Sequence, residues 1–520
     1  MMSGNAEAGI TGADTRGAGP FAGRVPERAG IVVVGGGLAG LELARELAGH
    51  GVGDVLVLEA GPGDDLAHIH LEQDQDAATE LVFAPDRDPC FRRTWVSDAA
   101  PHYTGISGLR RRLGGRSLYW HGVILPLEDW ALRDWPSDVA GALTAGWCGG
   151  PSLYKRVTAD LMSWSAGADG TPPAPDERTV ECGGLAFRPL PRACRYVPDE
   201  ASGGVRWEAY TALDHWRTGA GRPAPPAGVR IRCRTEVLAV QVRGATARGV
   251  LVRDEDTGEV SAIAADTVVL CAGTVESTRL AIQALTEAGA LREPRLGNLA
   301  DHIVQGFTAR LDGALGPLAA RGLEPGSYYV PTSAATRSYL RMDLHRTASE
   351  GVLLDVRVTG EQLPNPDSVV ECRPTGPAPW QARVRTALHA QDREMIGVQR
   401  AGLSAFWRDL SRELGLPPVP LEFEDFGDPA RDNTLVLPGR TRTLSHGRPD
   451  TWTSLLGTED HEGGSLPLGT VLTRRHECVG LAGLYAAGPV VFPRLGAANP
   501  SLTTLALSRR LAAILAGVHG

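Results

Sequence analysis

The clearest pattern of apolar and polar positions spans residues 31–61. Its first run, IVVV, is short, β-branched and unbroken, as expected for a strand that is buried on both faces. Leu38 to Leu47 then has apolar residues at helical spacing, and VLVLEA is a second apolar run that ends in an acid. We therefore predict a strand, a glycine-rich turn, a helix and a second, parallel strand, which together form a βαβ unit.

Downstream of this unit the pattern is mixed. Residues 231–273 are typical of strands joined by turn residues, and the last strand, from Thr267 to Leu270, is again fully apolar. TVESTRLAIQAL then restarts a helix. Residues 303–455 alternate short strand patterns with turn residues and contain one long helical stretch, from Gln391 to Glu413. We expect this region to form a separate antiparallel sheet with one helix.

Length and charge restrict the possible classes of protein. With 520 residues, 42% of them hydrophobic, the chain can bury a large core and form several domains. No run approaches 18 apolar residues, so we expect no membrane span. The net charge of −9 disfavours a nucleic-acid-binding surface. Residues 1–24 lack the apolar segment of a secretory signal, so we expect a disordered tail and a cytoplasmic protein.

Residue usage disfavours several kinds of chemistry. Lys155 is the only lysine and lies in an ordinary stretch, so Schiff-base chemistry is not expected. The eight cysteines contain no CxxC pair and are expected to be reduced, packed thiols. One local group of histidines and acids could hold a metal, but its charged setting favours a solvated loop, and we expect no metal. This group consists of His68, His70, Glu72, Asp74 and Asp76.

The glycine-rich turn of the βαβ unit has the chemistry of a dinucleotide site. Gly35, Gly37 and Gly40 form GxGxxG, a pattern that provides a tight turn, backbone approach to a diphosphate and close packing of helix on strand. Glu59 follows Gly40 by 19 residues, at the tip of the second strand, where its carboxylate can accept from ribose hydroxyls. The motif alone is compatible with NAD or FAD.

Five segments, spread over nearly the whole chain, choose between these possibilities. They are VVVGGGLAGLELA with Glu59-Ala60-Gly61, RRLGGRSLYWHGV at 111–123, LCAGTVESTRL at 270–280, LGNLADH at 296–302, and the C-terminal block HEGGSLPLG with GLYAAGPVVFPRLGAANPSLTTLAL. In this order they resemble the glucose-methanol-choline (GMC) family of FAD oxidoreductases. Each segment is moderately specific alone, and their combination is specific.

The resemblance implies an α/β protein with two domains and a discontinuous order along the chain. An FAD-binding, Rossmann-like domain would comprise residues 25–302, with covering loops at about 64–230, and would resume at 456–520. A substrate-binding α+β domain on an antiparallel sheet would occupy 303–455. Because that domain varies most within the family, we expect it to determine specificity.

The resemblance also implies a catalytic pair. Enzymes of this family move a hydride from an alcohol carbon to the flavin while a histidine accepts the hydroxyl proton. By position that base is His461, and its partner is Asn499, 38 residues later, as in the cholesterol-oxidase-like and pyranose-oxidase-like branches. The two residue types suit these roles, since a neutral imidazole accepts a proton at working pH and an amide donates to a developing alkoxide.

The family's flavin-lining segments indicate which residues contact the cofactor. We expect FAD to be held without a covalent bond, because Tyr119 stands where some relatives have the histidine that forms one, and His121 is then expected to tune the flavin or to pack. The implied cofactor-binding residues are Gly35, Gly37, Leu38, Ala39, Gly40, Glu59, Ala60, Arg112, Gly114, Gly115, Ser117, Trp120, His121, Gly122, Val237, Ala272, Gly273, Gly488, Asn499, Pro500 and Ser501.

The stretch GAANPSLTTLAL has a structural interpretation as well. Asn499 is a good N-cap, Pro500 suits the first helical position, and an apolar run follows. The partial positive charge of such a helix start would stabilise the negative charge that a reduced flavin gathers. The amide of Asn499 therefore has two candidate roles, capping the helix or binding the substrate hydroxyl.

One part of the C-terminal block departs from the family pattern. After Gly463-Gly464 the family usually has Arg and Met, whereas this chain continues Ser-Leu-Pro-Leu-Gly, and the link from Gly469 to Leu484 is short and lacks an acidic turn. These differences put in doubt contacts behind the catalytic pair. They leave His461 and Asn499 unchanged.

The leading hypothesis is therefore oxidation of a small-molecule alcohol, with O2 or another acceptor reoxidising the flavin. A sugar, a polyol or a secondary-metabolite alcohol fits the acidic composition and the arginine-rich codon usage of a GC-rich bacterium better than a sterol does. The same fold also supports lyases of the hydroxynitrile type, and a flavin-binding protein with decayed catalysis is a further alternative. A nicotinamide dehydrogenase is the weakest, since it gives the C-terminal block no purpose.

Overall fold

The computed structural model describes residues 21, 24–69, 88–166, 178–199, 204–216, 224–347, 350–374, 376, 378–426 and 444–518. The predicted tail at 1–24 lies outside this part of the chain except for Phe21 and Arg24. Four of the five residues of the His-acid group, from His70 onwards, also lie outside it, and within the described residues no cluster of three metal-ligating side chains is found.

Twenty-four strands lie within the described residues. They are β1 Arg28–Val34, β2 Val55–Leu58, β3 Phe91–Arg92, β4 Trp95–Ser97, β5 Leu109–Arg110, β6 Gly146–Trp147, β7 Gly150–Pro151, β8 Val180–Cys182, β9 Leu185–Pro189, β10 Cys194–Asp199, β11 Gly204–Ala209, β12 Val229–Arg232, β13 Thr235–Arg243, β14 Thr246–Asp254, β15 Val260–Leu270, β16 Arg295–Leu296, β17 His302–Leu311, β18 Gly326–Ser333, β19 Ser338–Arg346, β20 Val352–Glu361, β21 Val369–Arg373, β22 Gln381–Arg385, β23 Asp450–Thr453 and β24 Leu484–Ala486.

The α-helices of the same residues differ widely in length. They are α1 Leu38–Gly49, α2 Asp129–Leu132, α3 Ser137–Thr144, α4 Leu153–Ser165, α5 Thr274–Glu287, α6 Leu315–Ala319, α7 Ala390–Glu413 and α8 Ser501–Leu515. None of these helices has the length and apolar character that crossing a bilayer requires.

The first of two seven-stranded sheets contains the predicted βαβ unit. Its strand order is β12-β2-β1-β15-β14-β13, and β24 also pairs with β15. The strands β12, β2, β1, β24 and the end of β15 run parallel, whereas β13 and β14 pair antiparallel at one side. The unbroken apolar runs predicted for β1 and β2 are buried here, because helices cover the parallel part. The predicted strand, turn, helix and strand are confirmed.

Helix α8, near the C-terminus, packs against α1, near the N-terminus. Thirteen of its residues, from Leu502 to Ile514, are buried, so α8 is an interior helix rather than an amphipathic surface helix. Its apolar side chains share a core with Leu41, Leu43 and Leu47 of α1. This packing brings the loop that precedes α8 close to the glycine-rich turn that precedes α1.

The second large sheet is antiparallel, with the order β23-β17-β20-β19-β18-β9-β8. Helix α7 covers one face through buried residues that include Leu403, Phe406 and Trp407. The antiparallel sheet and the long helix predicted for the middle of the chain are confirmed. Strands β8 and β9 join this sheet from residues 180–189, within the stretch predicted to cover the FAD-binding domain.

Candidate active site

The three glycines of GxGxxG differ in the space that surrounds their Cβ positions. Gly35 has a φ of +106°, and a Cβ there would meet the Cys271 carbonyl oxygen at 2.5 Å, while a Cβ on Gly40 would meet the Gly35 carbonyl oxygen at 2.1 Å. These two positions are closed by packing. A Cβ on Gly37, in contrast, would have no atom within 4 Å, and Gly37 lines a cavity at the start of α1. The open space lies where a helix N-terminus can bind a diphosphate.

Glu59 lies at the end of β2 and anchors the same turn. Its two carboxylate oxygens accept from the backbone N–H of Gly36 at 2.9 Å and of Gly61 at 2.8 Å. Burial raises its pKa, although these backbone donors oppose the shift. Each oxygen has a second lone pair, and Glu59 lines the cavity, so the carboxylate can also accept from a ligand hydroxyl.

The segment 110–123 crosses the glycine-rich turn. The N–H of Gly114 donates to the Gly36 carbonyl at 2.7 Å, which fixes this segment beside the cavity. Arg112 points away from the cavity, because its guanidinium pairs with Asp65 at 3.2 Å and contacts the Tyr119 hydroxyl at 3.4 Å. The Tyr119 hydroxyl in turn donates to Asp88 at 3.0 Å.

The structure brings most of the predicted residues to one cavity. Four predicted cofactor residues do not line this cavity: Gly40, Arg112, Gly114 and Gly122. The predicted residues that line it are Gly35, Gly37, Leu38, Ala39, Glu59, Ala60, Gly115, Ser117, Trp120, His121, Val237, Ala272, Gly273, His461, Gly488, Asn499, Pro500 and Ser501. The cavity therefore extends from the glycine-rich turn to the predicted catalytic pair.

His461 and Asn499 face each other at the far end of this cavity. The His461 Nε2 lies 3.1 Å from the Asn499 Nδ2. On its other side, the His461 Nδ1 lies 2.9 Å from the Nδ1 of His302, the first residue of β17. The His302 Nε2 is 3.0 Å from the Gly496 carbonyl oxygen. Sequence reasoning missed His302, although it ends the LGNLADH segment.

These contacts determine where the protons lie. A carbonyl only accepts, so the His302 Nε2 carries a hydrogen, and the Nδ1 of neutral His302 is an acceptor. The His461 Nδ1 must then donate to it, which leaves the lone pair on His461 Nε2. Burial lowers the pKa of His302 to about 4, and burial together with His302 and Arg116 lowers the pKa of His461 well below its usual value. His461 is thus neutral and lines the cavity, and the lone pair on its Nε2 accepts from the Asn499 amide.

Tyr339 of β19 orients the amide of Asn499. Its hydroxyl donates to the Asn499 Oδ1 at 2.8 Å, so the amide nitrogen is the atom that faces His461. Burial raises the pKa of Tyr339, which keeps the hydroxyl protonated as a donor. The chain gave no local signal for this contact, because Tyr339 and Asn499 are 160 positions apart.

The predicted helix cap at Asn499 is wrong. Helix α8 begins at Ser501, Pro500 occupies the N-cap position, and no side chain caps the helix. The amide of Asn499 instead contacts Tyr339 and His461. The capping role is therefore excluded, and binding of the substrate hydroxyl by Asn499 stays a prediction.

A partly buried ion-pair cluster supports the loop that carries His461. The Arg116 guanidinium donates to both carboxylate oxygens of Glu462, at 2.6 and 2.8 Å, and pairs with Asp460 at 3.1 Å. A bidentate pair of this kind fixes geometry as well as charge. Arg116 therefore holds the residues on both sides of His461.

His121 also lines the cavity, on the side of the second sheet. Burial lowers its pKa well below the usual value, and the nearby charges of Arg341 and Arg192 add to this effect. The imidazole is accordingly neutral. Whether it tunes a flavin or packs stays a prediction.

Comparisons with known proteins give a likeness in fold. A scan against protein-family models found no match, and neither did a search of curated proteins. Among solved structures, the chain is similar to pyridoxine 4-oxidase from Mesorbium loti, with 18% identity, a TM-score of 0.60, and 95% of this chain and 100% of that one covered.

A second similar structure is formate oxidase, with 15% identity, a TM-score of 0.56, and coverage of 96% and 99%. A variant of the Aspergillus oryzae RIB40 formate oxidase, made to study modification of its FAD, has 15% identity and a TM-score of 0.60, with the same coverage. Both enzymes are oxidases by name, and the chain shares their fold. The predicted fold class, an FAD-binding domain combined with a substrate domain, is confirmed.

Proposed function

We propose that this chain is an FAD-dependent, GMC-type oxidoreductase that oxidises an alcohol to an aldehyde or ketone. The observation that carries the proposal is the pairing of a neutral His461, with its lone pair on Nε2, and the amide donor of Asn499, in a cavity continuous with the glycine-rich turn. The two similar structures, both oxidases, support a flavin and O2 as acceptor.

The described residues fit FAD at several points. Gly37 leaves space at the N-terminus of α1 for a diphosphate, and Glu59 offers acceptor lone pairs for ribose hydroxyls. The N-terminus of α8 faces the same cavity through Ser501, with partial positive charge. FAD, when bound, supplies the acceptor for the hydride. FAD is expected to be held without a covalent bond to the protein, and the Tyr119 hydroxyl, at the position in question, already donates to Asp88.

The side chains of the cavity would then accept the hydroxyl proton and stabilise the negative charge that develops on the substrate oxygen. An alcohol hydroxyl that contacts both His461 Nε2 and Asn499 Nδ2, and so replaces the contact between these two atoms, gives its proton to the imidazole as its carbon loses a hydride. The substrate thereby loses two electrons and two hydrogens. The Asn499 amide donates to the developing alkoxide, and Tyr339 keeps that amide in place. The new imidazolium retains its Nδ1 contact with His302, which limits the cost of the charge.

The substrate of this reaction is proposed to be a sugar, a polyol or a secondary-metabolite alcohol. Anaerobic mixing of purified holoenzyme with a panel of alcohols, followed by admission of air, tests the proposal. We expect the yellow flavin to bleach with its alcohol and to recover its colour in air if O2 is the acceptor. A flavin that stays oxidised with every alcohol, combined with cleavage of cyanohydrins, would overturn the proposal in favour of a lyase.

Substitution of Gly37 by valine is expected to weaken FAD binding by roughly tenfold or more, because the side chain would fill the space that a diphosphate needs. The thermal stability of the FAD-free protein should not change, since no atom lies near this Cβ position. The measurement is a fluorescence titration of FAD into the apoprotein. Gly53→Val, at an exposed position with equally open space, is the matched control, and equal FAD affinity in both variants would contradict the assignment.

The pH dependence of flavin reduction should reflect the lowered pKa of His461. The active base is neutral His461, and a lowered pKa means that it gains a proton only at a pH below its usual value of 6.5. We therefore expect the limiting rate of anaerobic reduction to stay constant from neutral pH down past 6.5 and to fall only at more acidic pH. An acidic limb at or above 6.5 would contradict the protonation states derived from the contacts.

A further inference from the structure

Strands β19 and β20 present a row of charged and polar residues on the face that closes the cavity. Alternate residues of a strand share a face, and these strands are antiparallel neighbours. Four members of the row line the cavity: Tyr339, Arg341, Arg357 and Thr359. The register pairs Tyr339 with Thr359, Arg341 with Arg357, and Asp343 with Asp355.

Two arginines therefore stand directly opposite each other. Like charges in this arrangement destabilise a sheet, so the pair needs compensation. Part of it comes from the next step of the row, where Arg341 Nε lies 2.8 Å from a carboxylate oxygen of Asp343 and Arg357 donates to Asp355. Burial opposes ionisation of Asp343, yet the guanidiniums hold its pKa well below its ordinary range. The acids lie on the side of the arginines that is remote from Tyr339.

The arginines nevertheless keep unused donors. The Arg341 side chain is 8% exposed and bonds through Nε alone, and among the described residues no acceptor contacts its two terminal nitrogens. The Arg357 Nε also has no hydrogen-bond partner, but it is buried, so a ligand in the cavity would meet the exposed part of this guanidinium instead. Glu459 lines the same cavity and its charge acts on Arg357, but among the described residues no ion pair within 4 Å joins Glu459 to either guanidinium. A desolvated guanidinium with free donors is suited to bind a planar anion.

We propose that Arg341 and Arg357 form a subsite for a carboxylate carried by the alcohol substrate. This inference rests on the proposed function and specifies its substrate class as a hydroxy acid. A carboxylate matches the planar guanidinium geometry, and because Asp343 and Asp355 already balance the charges of the two arginines, a singly charged anion suits this site better than a doubly charged one. The carboxylate takes no part in the transfer of hydride or proton.

The spacing of the row limits the separation of the two functional groups. Tyr339, which contacts Asn499, and Arg341 are two residues apart on one strand, a step of about 7 Å. We therefore expect the hydroxyl at the proposed catalytic pair and the carboxylate at the arginines to be separated by several bonds, as in ω-hydroxy acids rather than 2-hydroxy acids.

Binding can be tested without turnover. Isothermal titration of oxidised holoenzyme would compare straight-chain carboxylates of increasing length with their primary amides, which have the same shape without the charge. We expect at least one carboxylate to bind about ten- to a hundredfold more tightly than its amide. Arg341→Gln and Arg357→Gln should remove this preference, and Arg341→Lys should restore part of it. Arg346→Gln, exposed on the same strand, is the control.

The outcomes separate this inference from the proposed function. Equal binding of every carboxylate and its amide, or a preference that survives in both arginine variants, would overturn the subsite. A preference for alkyl phosphates over carboxylates would overturn the choice of anion. In turnover, ω-hydroxy acids should have a KM about ten- to a hundredfold below that of their methyl esters, with a similar kcat. Flavin bleaching by esters alone would contradict the subsite and retain the oxidase, whereas no bleaching by any alcohol would contradict the oxidase itself.

Discussion

Replacing His461 by alanine is expected to slow anaerobic flavin reduction by roughly 10²- to 10⁴-fold, the range for loss of a positioned general base. The imidazole Nε2, which contacts the Asn499 amide, is the atom that would accept the hydroxyl proton. FAD should stay bound, because its predicted contacts at Gly37 and Glu59 are remote from this change. Stopped-flow absorbance gives the rate, and the flavin-to-protein ratio gives the retention of FAD.

The control for this variant is His50→Ala, at an exposed position just after α1. It should leave flavin reduction unchanged. If His461→Ala protein retains FAD and is reduced at the wild-type rate, the assignment of the base is wrong. Loss of FAD in that variant would instead contradict the separation of cofactor binding from proton transfer.

Replacing Asn499 by alanine is expected to slow reduction by roughly ten- to a thousandfold, the range for one lost donor to a developing oxyanion. The change also leaves the Tyr339 hydroxyl without its acceptor. Asn499→Asp separates these effects, since a carboxylate accepts from Tyr339 but cannot donate to an alkoxide. We expect the aspartate variant to be as slow as the alanine variant when reduction is measured by stopped flow.

A change of less than about twofold in both variants would indicate that Asn499 has only a structural role. Recovery of the rate in Asn499→Asp alone would show that orientation of Tyr339, and not donation to the substrate, is what the amide provides. Tyr339→Phe is the companion variant, because it removes the hydroxyl that orients the amide and leaves the amide itself intact.

The βαβ unit could be predicted because its determinants are local. A strand buried on both faces gives an unbroken apolar run, and two of the three glycines are required by contacts within the unit and with Cys271, next in the sheet. The long helix α7 was equally accessible, as its apolar spacing extends over many turns. The order of five short segments then indicated the fold class that the similar structures confirm.

The environment of the proposed catalytic pair, His461 and Asn499, could not be predicted in the same way. Its members approach through the packing of β17, β19 and the loop before α8, and the Tyr339–Asn499 contact spans 160 positions. The local signal at Asn499-Pro500 favoured a helix cap, which is wrong. The Asn499 side chain contacts Tyr339 and His461 instead, and neither residue is near it in sequence. Arg116, which holds Glu462 beside His461, comes from a segment 346 positions away. Sequence patterns predict individual strands and helices, whereas these contacts form between strands, helices and loops that are distant in sequence.

The most direct test of the account is a single anaerobic turnover. Holoenzyme would be mixed with one equivalent of a substrate alcohol, and bleached flavin and carbonyl product would be counted together. We predict one carbonyl formed for each flavin reduced, as removal of a hydride and a proton requires, and neither product nor bleaching at a comparable rate in His461→Ala. Consumption of the alcohol while the flavin stays oxidised would contradict the proposed oxidation.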